Sequence, residues 1–295
     1  MRFVMNEYNL YSPKINNETD IVCISDIHSD VEKMKQIKEI LKKLKISTLL
    51  ISGDLIDSTN DKRNDQLHEI INSISSLSQT FISMGNHDLV YFDSDRKELP
   101  SNDTSFYDSL SAINNITIFR KSLESIPLNS DIQLNALNMP IEWYENKENE
   151  LEFEKFLLNN AEANTDKFNI LLSHTPNGII KDQLIKKQLK YISDMNLILS
   201  GHMHAGLIPI FLRRKKGHRG LIGPYASIFP KTSYGLYEND DCSMVVSGGI
   251  TKVASSNELR GLSSFANSFF ASEIELIHLL PGDEHHMEQT KRVKL

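Results

Sequence analysis

The sequence predicts an α/β fold built around a parallel sheet, and two observations lead to this prediction. Short runs of β-branched and other apolar residues alternate with longer segments in which apolar residues recur every three or four positions. Two such strand–helix steps fall within the first 90 residues. A helix between two strands places those strands parallel in one sheet, so we expect a parallel central region.

Each predicted element follows from its local pattern. Residues 21–24 form a mostly β-branched run that stops at polar Ser25, as a buried strand does. From Val31 to Leu44 apolar residues recur at helical spacing between lysines, and Asp30 stands where it can cap the helix N-terminus. The other strands predicted in this region are residues 48–51, 80–84, 116–119, 132–139, 168–173 and 196–200, and the other helices are residues 67–77 and 148–158.

The C-terminal third is less regular. Residues 244–247 and 273–279 are predicted to add later, more antiparallel strands, and the glycine- and proline-rich residues 206–237 are predicted to form an ordered loop insertion. The tail after Pro281 carries His285 and His286 among charged residues, and we expect it to be solvated. Because no repeat or linker marks a boundary, we expect a single domain over residues 1–295.

The composition excludes several classes of protein. The 295 residues carry 32 Lys and Arg against 39 Asp and Glu, a formal net charge of −7, so general electrostatic binding of nucleic acid is not expected. No apolar stretch is long enough for a membrane span, and the first residues lack the apolar core of a signal peptide, so we expect a cytoplasmic protein. Cys23 and Cys242 are predicted to be buried thiols.

Histidines and carboxylates follow the predicted strands at the points where the strands end. In an open α/β sheet, ligands bind beyond the carboxyl ends of the strands. Carboxylate oxygen together with neutral imidazole suits Mn, Fe and Zn. The set is too large for one tetrahedral ion, but it suffices for two ions about 3.5–4 Å apart that share a carboxylate, an arrangement suited to displacement at phosphorus. The histidines at strand ends are His28, His87, His174, His202 and His204.

Five short motifs occur in order along the chain: DIH at 26–28, GDLID at 53–57, GNHD at 85–88, SH at 173–174 and GHMH at 201–204. Together they resemble the motifs of the calcineurin-like metallophosphoesterases. The resemblance implies an αββα sandwich, with central mixed sheets flanked by helices, and two divalent ions, manganese before iron or zinc. The chain after Gly206 is more weakly similar to a bacterial branch of hydrolases that are often tethered to membranes and include enzymes acting on nucleotide-linked lipid A precursors.

The resemblance also implies a role for each motif residue. His87 is implied to be the general acid, and Asp88 to orient and charge its imidazole, with capping of the next segment as the alternative for Asp88. Asp57 either hydrogen-bonds a ligating histidine or forms a turn, and we do not predict that it is catalytic. One ion is assigned to Asp26, His28, Asp54 and His204, and the other to Asp54, Asn86, His174 and His202, with Asp54 as the bridge.

The predicted ligand set leaves positive charge for a phosphate. Two divalent ions bring four positive charges, while Asp26, Asp54 and a bridging hydroxide return three negative ones, so about one positive unit faces the substrate. Coordination lowers the pKa of water to about 7 in favourable sites and supplies a hydroxide for direct attack on phosphorus. A positioned acid such as His87 typically contributes roughly 10²–10⁴-fold to the rate.

The segment RRKKGHR at 213–219 holds five permanent positive charges between apolar stretches. It is either a solvated loop tip or a contact in which Arg213 and Arg214 grip a second phosphate or an anionic headgroup while the apolar flanks touch lipid. The second interpretation implies peripheral contact with a membrane. Trp143 and Tyr144 are predicted either to pack in the core or on the surface, or to overhang the site.

We therefore predict a dinuclear metal-dependent hydrolase of a phosphodiester or pyrophosphate, and nucleotide-linked and lipid-linked substrates both stay open. One alternative is a phosphomonoesterase such as a protein phosphatase. The other is a binding scaffold that keeps the metals without turnover. The complete ligand set and an intact His87 argue against the scaffold. No protein partner can be inferred.

Overall fold

The computed structural model of the chain describes residues 3–92, 98–139, 141, 144, 163–176, 194–208, 219–224, 228–230, 232–238, 241–251 and 270–295. Within these ranges the helices are α1 (Val31–Leu44), α2 (Asn64–Ser75) and α3 (Ser105–Ser111). The strands are β1 (Phe3–Ser12), β2 (Thr19–Ile24), β3 (Thr48–Ser52), β4 (Gln79–Ser83), β5 (Val90–Phe92), β6 (Glu98–Pro100), β7 (Ile116–Ile118), β8 (Leu123–Pro127), β9 (Ile132–Leu137), β10 (Phe168–Ser173), β11 (Leu197–Ser200), β12 (Gly235–Glu238), β13 (Ser243–Val246), β14 (Ser272–Pro281) and β15 (His286–Lys294).

Two mixed sheets carry the described part of the fold. The first has seven strands in the order β15-β1-β14-β2-β3-β4-β7, the second has six in the order β12-β13-β11-β10-β9-β8, and β5 pairs with β6 alone. Strands β2, β3, β4 and β7 run parallel, as do β9, β10, β11 and β13. The predicted α/β class with mixed central sheets is confirmed.

Apolar side chains fill the space between the sheets and cover their outer faces. Leu50 of the first sheet and Leu172 of the second belong to one buried cluster, so the sheets pack face to face. A second cluster joins Ile37, Ile71 and Leu110 from the three helices to the outer face of the first sheet. Helix α1 begins as predicted, because the Lys33 backbone N–H donates to the Asp30 carboxylate at 3.1 Å. The helix predicted at residues 148–158 lies outside the described residues.

The two chain termini differ from the sequence prediction. Strand β1, which was not predicted, pairs parallel with β14 and antiparallel with β15. The tail is solvated as predicted, since every residue of 286–294 except Met287 is exposed or half-buried, but it forms an ordered edge strand that was not predicted, and His285 Nε2 lies 3.0 Å from Ser243 Oγ. The strand was missed because Met287 is its only buried residue, so the segment shows no apolar alternation.

The late strands are more mixed than the antiparallel prediction. Strand β13 is antiparallel to β12 but parallel to β11, and β14 is antiparallel to β2 but parallel to β1. The predicted loop insertion ends in a strand, because Gly235–Glu238 forms β12. Cys23 and Cys242 are buried thiols, as predicted. Among the described residues, no helix has both the length and the apolarity needed to cross a bilayer.

Candidate metal centre

The loops after five parallel strands bring the seven predicted ligands together. Each loop starts where its strand leaves the sheet, and the strands of both sheets end toward one common site. Six of the ligands are buried, and the His204 side chain is 20% exposed. The ligands are Asp26 and His28 after β2, Asp54 after β3, Asn86 after β4, His174 after β10, and His202 and His204 after β11.

Six of these side chains form two groups of three. Within each group the candidate ligand atoms lie within 4.8 Å of one another. The groups are Asp26 with His28 and His204, and Asp54 with His174 and His202. Asp54 Oδ2 lies 3.0 Å from His174 Nε2 and 3.8 Å from His28 Nε2, so this one oxygen approaches an imidazole of each group.

Apart from the contact between Asp54 and His174, five buried atoms of the cluster make no hydrogen bond: His28 Nδ1 and Nε2, Asp54 Oδ2, Asn86 Oδ1 and His174 Nε2. Leaving a buried polar group without a partner costs about 1–3 kcal/mol. Because His28 Nε2 and His174 Nε2 lie 3.8 and 3.0 Å from Asp54 Oδ2, cations bound between them would satisfy these three atoms together. Carboxylate, imidazole and amide oxygen donors fit divalent Mn, Fe or Zn. The residues present therefore fit the metals that the sequence predicts.

Backbone carbonyls fix the orientation of two histidines. Nδ1 of His174 lies 2.8 Å from the Ser52 carbonyl oxygen, and Nδ1 of His204 lies 2.9 Å from that of Thr251. A carbonyl oxygen only accepts, so each Nδ1 carries a hydrogen and each Nε2 faces the site, where it can bind a cation once it is deprotonated. The Lys33 ammonium, which is buried, donates to the Ile250 carbonyl at 2.9 Å and so supports the segment that holds His204.

The charges inside the cluster shift several pKa values. Burial lowers the pKa of His174, but the carboxylates of Asp54 and Asp26 outweigh this effect and raise its pKa to about 9. Burial, followed by the charge of His174, lowers the pKa of His202 to about 3. Burial raises the pKa of Asp54, yet the surrounding imidazoles hold it well below its usual range. The carboxylates are therefore ionised, His202 is neutral, and a cation must displace a proton from His174.

Backbone strain is concentrated at the same loops. A non-glycine residue in the left-handed region costs on the order of 1–3 kcal/mol when it is held there by its surroundings. Glycines make room beside these residues: a Cβ on Gly53, whose φ is +75°, would lie 2.5 Å from His174 Nδ1, and a Cβ on Gly85 would lie 2.2 Å from Asp54 Oδ1. The strained ligands are Asp26, His28, Asp54, His202 and His204, with φ between 44° and 66°.

His87 lies at the edge of the cluster, and Asp57 orients it. His87 Nδ1–H donates to the Asp57 carbonyl oxygen at 2.9 Å, and Asp57 Oδ1 is 3.8 Å from the same nitrogen. Asp57 Oδ1 also lies 3.6 Å from His28 Nδ1, while Arg63 donates to Oδ2 at 3.3 Å. Since Nδ1 is held by the carbonyl, proton transfer by His87 falls to Nε2. Of the two roles predicted for Asp57, contact with a ligating histidine agrees with its position beside His28, whereas its contact with His87 was not predicted.

The hydrogen bonds of Asp88 join it to the neighbouring loops, and its implied role toward His87 stays a prediction. Its carboxylate accepts hydrogen bonds from the backbone N–H groups of Asp54 at 2.8 Å, Ile56 at 3.1 Å and Gly85 at 2.7 Å, and from the Tyr107 hydroxyl. These four donors occupy both oxygens. Asp88 therefore braces the loops that carry Asp54 and His87, while the His87 ring contacts the Asp57 carbonyl. Tyr107 could not be found from sequence, because no local motif links it to Asp88.

The other predicted contacts are partly described. The Tyr144 ring centroid lies 5.4 Å from that of His202 and 6.3 Å from that of His174, so Tyr144 overhangs one ligand group. Trp143, Arg213 and Arg214 lie outside the described residues.

The chain is similar to several known proteins. An uncharacterized metallophosphoesterase of Helicobacter pylori is 29% identical over 230 residues, covering 75% of this chain and 54% of that protein. One from Campylobacter jejuni is 25% identical over 227 residues, covering 75% and 53%. The chain thus spans about half the length of these relatives. The solved structure of an archaeal phosphodiesterase is 14% identical, with coverage of 79% and 85% and a TM-score of 0.40.

The sequence model that describes calcineurin-like phosphoesterases matches residues 19–206, which is 188 of 295 residues. This segment includes all five motifs, from Asp26 to His204, and every predicted metal ligand. The chain therefore belongs to the calcineurin-like phosphoesterase family.

Proposed function

We propose that the chain is a dinuclear metal-dependent phosphoesterase that hydrolyses a phosphodiester or a pyrophosphate bond. The observation that carries this proposal is the position of Asp54 Oδ2, which lies 3.0 Å from His174 in one ligand group and 3.8 Å from His28 in the other. A carboxylate between two ligand groups is the arrangement expected of a two-ion centre.

Each side chain then has a defined task. Asp26 is held in place by the Ser25 hydroxyl at 2.6 Å and by the His202 backbone N–H at 3.0 Å, so its carboxylate is fixed before a ligand arrives. Two divalent cations would supply Lewis acidity and lower the pKa of the attacking water, and we propose manganese in preference to iron or zinc. One cation would be held by Asp26, His28 and His204. The other would be held by Asn86, His174 and His202. Asp54 would contact both cations.

His87 completes the reaction as the proton donor. Water adds to phosphorus as the bond between phosphorus and the leaving oxygen breaks, and Nε2 of His87 gives its proton to that oxygen. His87 Nδ1 lies 2.9 Å from the Asp57 carbonyl oxygen, and this contact fixes the orientation of the imidazole ring. The His87 side chain is 16% exposed and its ring lies 4.6 Å from that of His28, so it stands between solvent and the cluster.

Charge favours a diester over a monoester. About one positive unit remains at a two-ion centre with two carboxylates and one hydroxide. A phosphodiester carries one negative charge, which matches this single positive charge, whereas a monoester dianion carries two negative charges. Tyr144 beside His202 offers an aromatic surface to the organic part of the substrate, which we propose to be nucleotide- or lipid-linked. We place the reaction in the cytoplasm.

A paired assay tests the proposal. Untagged protein with manganese is assayed on bis(p-nitrophenyl) phosphate and on p-nitrophenyl phosphate, followed by nucleoside diphosphate conjugates, with metal content measured in parallel. We expect faster turnover of the diester. Faster turnover of the monoester identifies a phosphomonoesterase, and full metal content without turnover of any substrate identifies a scaffold. Either outcome rejects the proposal.

A further inference from the structure

A short hairpin next to the candidate metal centre exposes a cluster of large apolar side chains. Leu221 is 48% exposed, Ile222 49%, Ile228 75% and Phe229 59%. We call these four residues the apolar hairpin. The other large apolar side chains that are exposed in the described part of the chain, such as Leu77, are single residues or lie at the C-terminus. An exposed apolar cluster of this kind marks an interaction site more often than a single exposed residue does.

Backbone hydrogen bonds give the hairpin a defined shape. The Phe229 N–H donates to the Leu221 carbonyl at 3.1 Å, Ile222 and Ile228 form an antiparallel bridge, and the Gly220 N–H donates to the Pro230 carbonyl at 2.9 Å. Phe229 has a φ of 53°, an unfavourable left-handed conformation for a bulky residue. The fold thus holds these apolar side chains toward solvent at an energetic cost.

The hairpin is tied to a metal-ligand loop. The N–H groups of Leu221 and Ile222 donate to the Gly206 carbonyl at 2.8 and 3.2 Å. A Cβ on Gly206 would lie 2.2 Å from the Gly220 Cα, so the two backbones are in direct contact. Gly206 follows the predicted ligand His204 by two residues. A surface bound to the hairpin would therefore lie close to the centre.

The sequence places positive charge next to the hairpin. Arg213, Arg214, Lys215 and Lys216 precede Arg219 in a chain whose net charge is −7. Of these five, only Arg219 lies within the described residues. Lys216 is three peptide bonds from Arg219, so the chain itself keeps it within about 11 Å. A local run of positive charge in an acidic protein is suited to an anionic surface.

We propose that the apolar hairpin docks this chain onto an anionic lipid bilayer. The four apolar side chains would enter the boundary between headgroups and acyl chains, with the exposed Arg219 beside them available to lipid phosphates. A stable protein partner needs about 800 Å² on each side, more than four side chains at a hairpin tip provide. Interfacial binding needs only a few apolar side chains combined with positive charge, which is what this segment offers.

Co-sedimentation with vesicles tests the proposal. The full chain is mixed with vesicles of phosphatidylcholine alone or of phosphatidylcholine and phosphatidylglycerol in equal parts. We expect binding to the mixed vesicles that weakens as salt is added, and little binding to phosphatidylcholine. The double variant Ile228→Ser, Phe229→Ser should bind the mixed vesicles at least tenfold more weakly, because each lost apolar side chain contributes about 1.5–3 kcal/mol when buried. Leu77→Ser, which removes a single exposed leucine elsewhere, should bind as the unmodified chain does.

Three outcomes would overturn the docking proposal: no sedimentation with the mixed vesicles, equal binding to both kinds of vesicle, or self-association of the unmodified chain that the double variant abolishes. The last would identify a second copy of the chain as the partner. Hydrolysis of bis(p-nitrophenyl) phosphate in solution is measured on the same samples. If vesicle binding is as expected but no variant hydrolyses the diester, the proposed function fails while the docking surface stands.

Discussion

Asp54 Oδ2 and His174 Nε2 lie 3.0 Å apart, close enough for a protonated His174 to form an ion pair with Asp54 in the cation-free protein. The other atom of each side chain is held by the backbone. Asp54 Oδ1 accepts a hydrogen bond from the His87 backbone N–H at 2.9 Å, and His174 Nδ1 contacts the Ser52 carbonyl at 2.8 Å. The scaffold therefore holds a carboxylate and an imidazole face to face in a buried site, where a bound cation would replace the proton between them.

Metal binding should release a proton from His174. Its pKa of about 9 means that the cation-free protein carries this proton at neutral pH, and a cation must displace it. Affinity should therefore rise with pH, by up to about tenfold per unit below pH 9. Calorimetry at pH 7 in buffers of different ionisation enthalpy measures the effect, with about one proton released from this residue. An affinity independent of pH would contradict this assignment.

His87→Ala should retain both metals and lose activity selectively. A positioned acid matters most when the leaving oxygen is a poor leaving group, so we expect a loss of roughly 10²–10⁴-fold on an alkyl ester and a much smaller loss on a nitrophenyl ester. Steady-state kinetics on both esters, with metal content measured alongside, checks this. Equal losses on the two esters would mean that His87 does not act as the acid. His68→Ala, at a histidine on α2 outside the cluster, is the control.

The role of Asp88 as a brace predicts an effect on stability rather than on proton transfer. Tyr107→Phe removes one of the four donors to its buried carboxylate, and a hydrogen bond to a charged group contributes about 1.5–3 kcal/mol. Denaturant unfolding should show a loss of this size, while the pH dependence of diester hydrolysis should not change. Tyr11→Phe, at a less buried tyrosine, should cost little. A shifted pH profile of diester hydrolysis in Tyr107→Phe would instead support the role in which Asp88 orients the His87 imidazole and stabilises its protonated form.

A buried acid outside the motifs, Glu275 of β14, should make stability depend on pH. Burial, and then the charge of Glu273, raise the pKa of Glu275 from 4.5 to about 7. The folded state therefore holds a proton that the unfolded state releases, so stability falls as pH rises from about 4.5 to about 7. Ionisation of Glu275 over this range should lower the free energy of unfolding by on the order of 3 kcal/mol.

Glu275→Gln should remove this dependence. The variant should be more stable than the unmodified chain at pH 8, and the difference should disappear near pH 4.5. Urea unfolding at both pH values checks this, with Glu39→Gln, at an exposed glutamate of α1, as the matched control. Equal pH dependence in the glutamine variant and the unmodified chain would contradict the account of Glu275.

The sequence could indicate which side chains gather at the candidate centre, because their signal is local. Each lies within four residues of a strand end, and parallel strands bring those ends to one place. The groups that orient the ligands have no such signal. Thr251, whose carbonyl holds His204, is 47 residues away from it, and nothing in its surroundings marks it for this task.

The strands at the two chain termini could not be predicted from local sequence either. Strand β1 pairs with β15 across nearly the whole chain, for example at Asn9 and Glu288. Most residues of β15 are polar or charged, as is common in edge strands, so no apolar alternation predicts the strand. Long-range pairing decides this part of the sheet, and a local pattern cannot reveal it.

The bridging role of Asp54 predicts metal loss on its removal. Asp54→Asn keeps the shape of the side chain but removes the charge that attracts both cations, so we expect substoichiometric metal by elemental analysis. Asp61→Asn changes a carboxylate that contacts Arg63 outside the cluster, and it should retain full metal. Full metal content in Asp54→Asn would show that the bridge is misassigned.

Anomalous diffraction from crystals soaked in manganese tests the two-ion centre most directly. We predict two peaks, one beside Asp26, His28 and His204 and the other beside His174 and His202, with Asp54 in contact with both. A single peak, or none, would contradict the account.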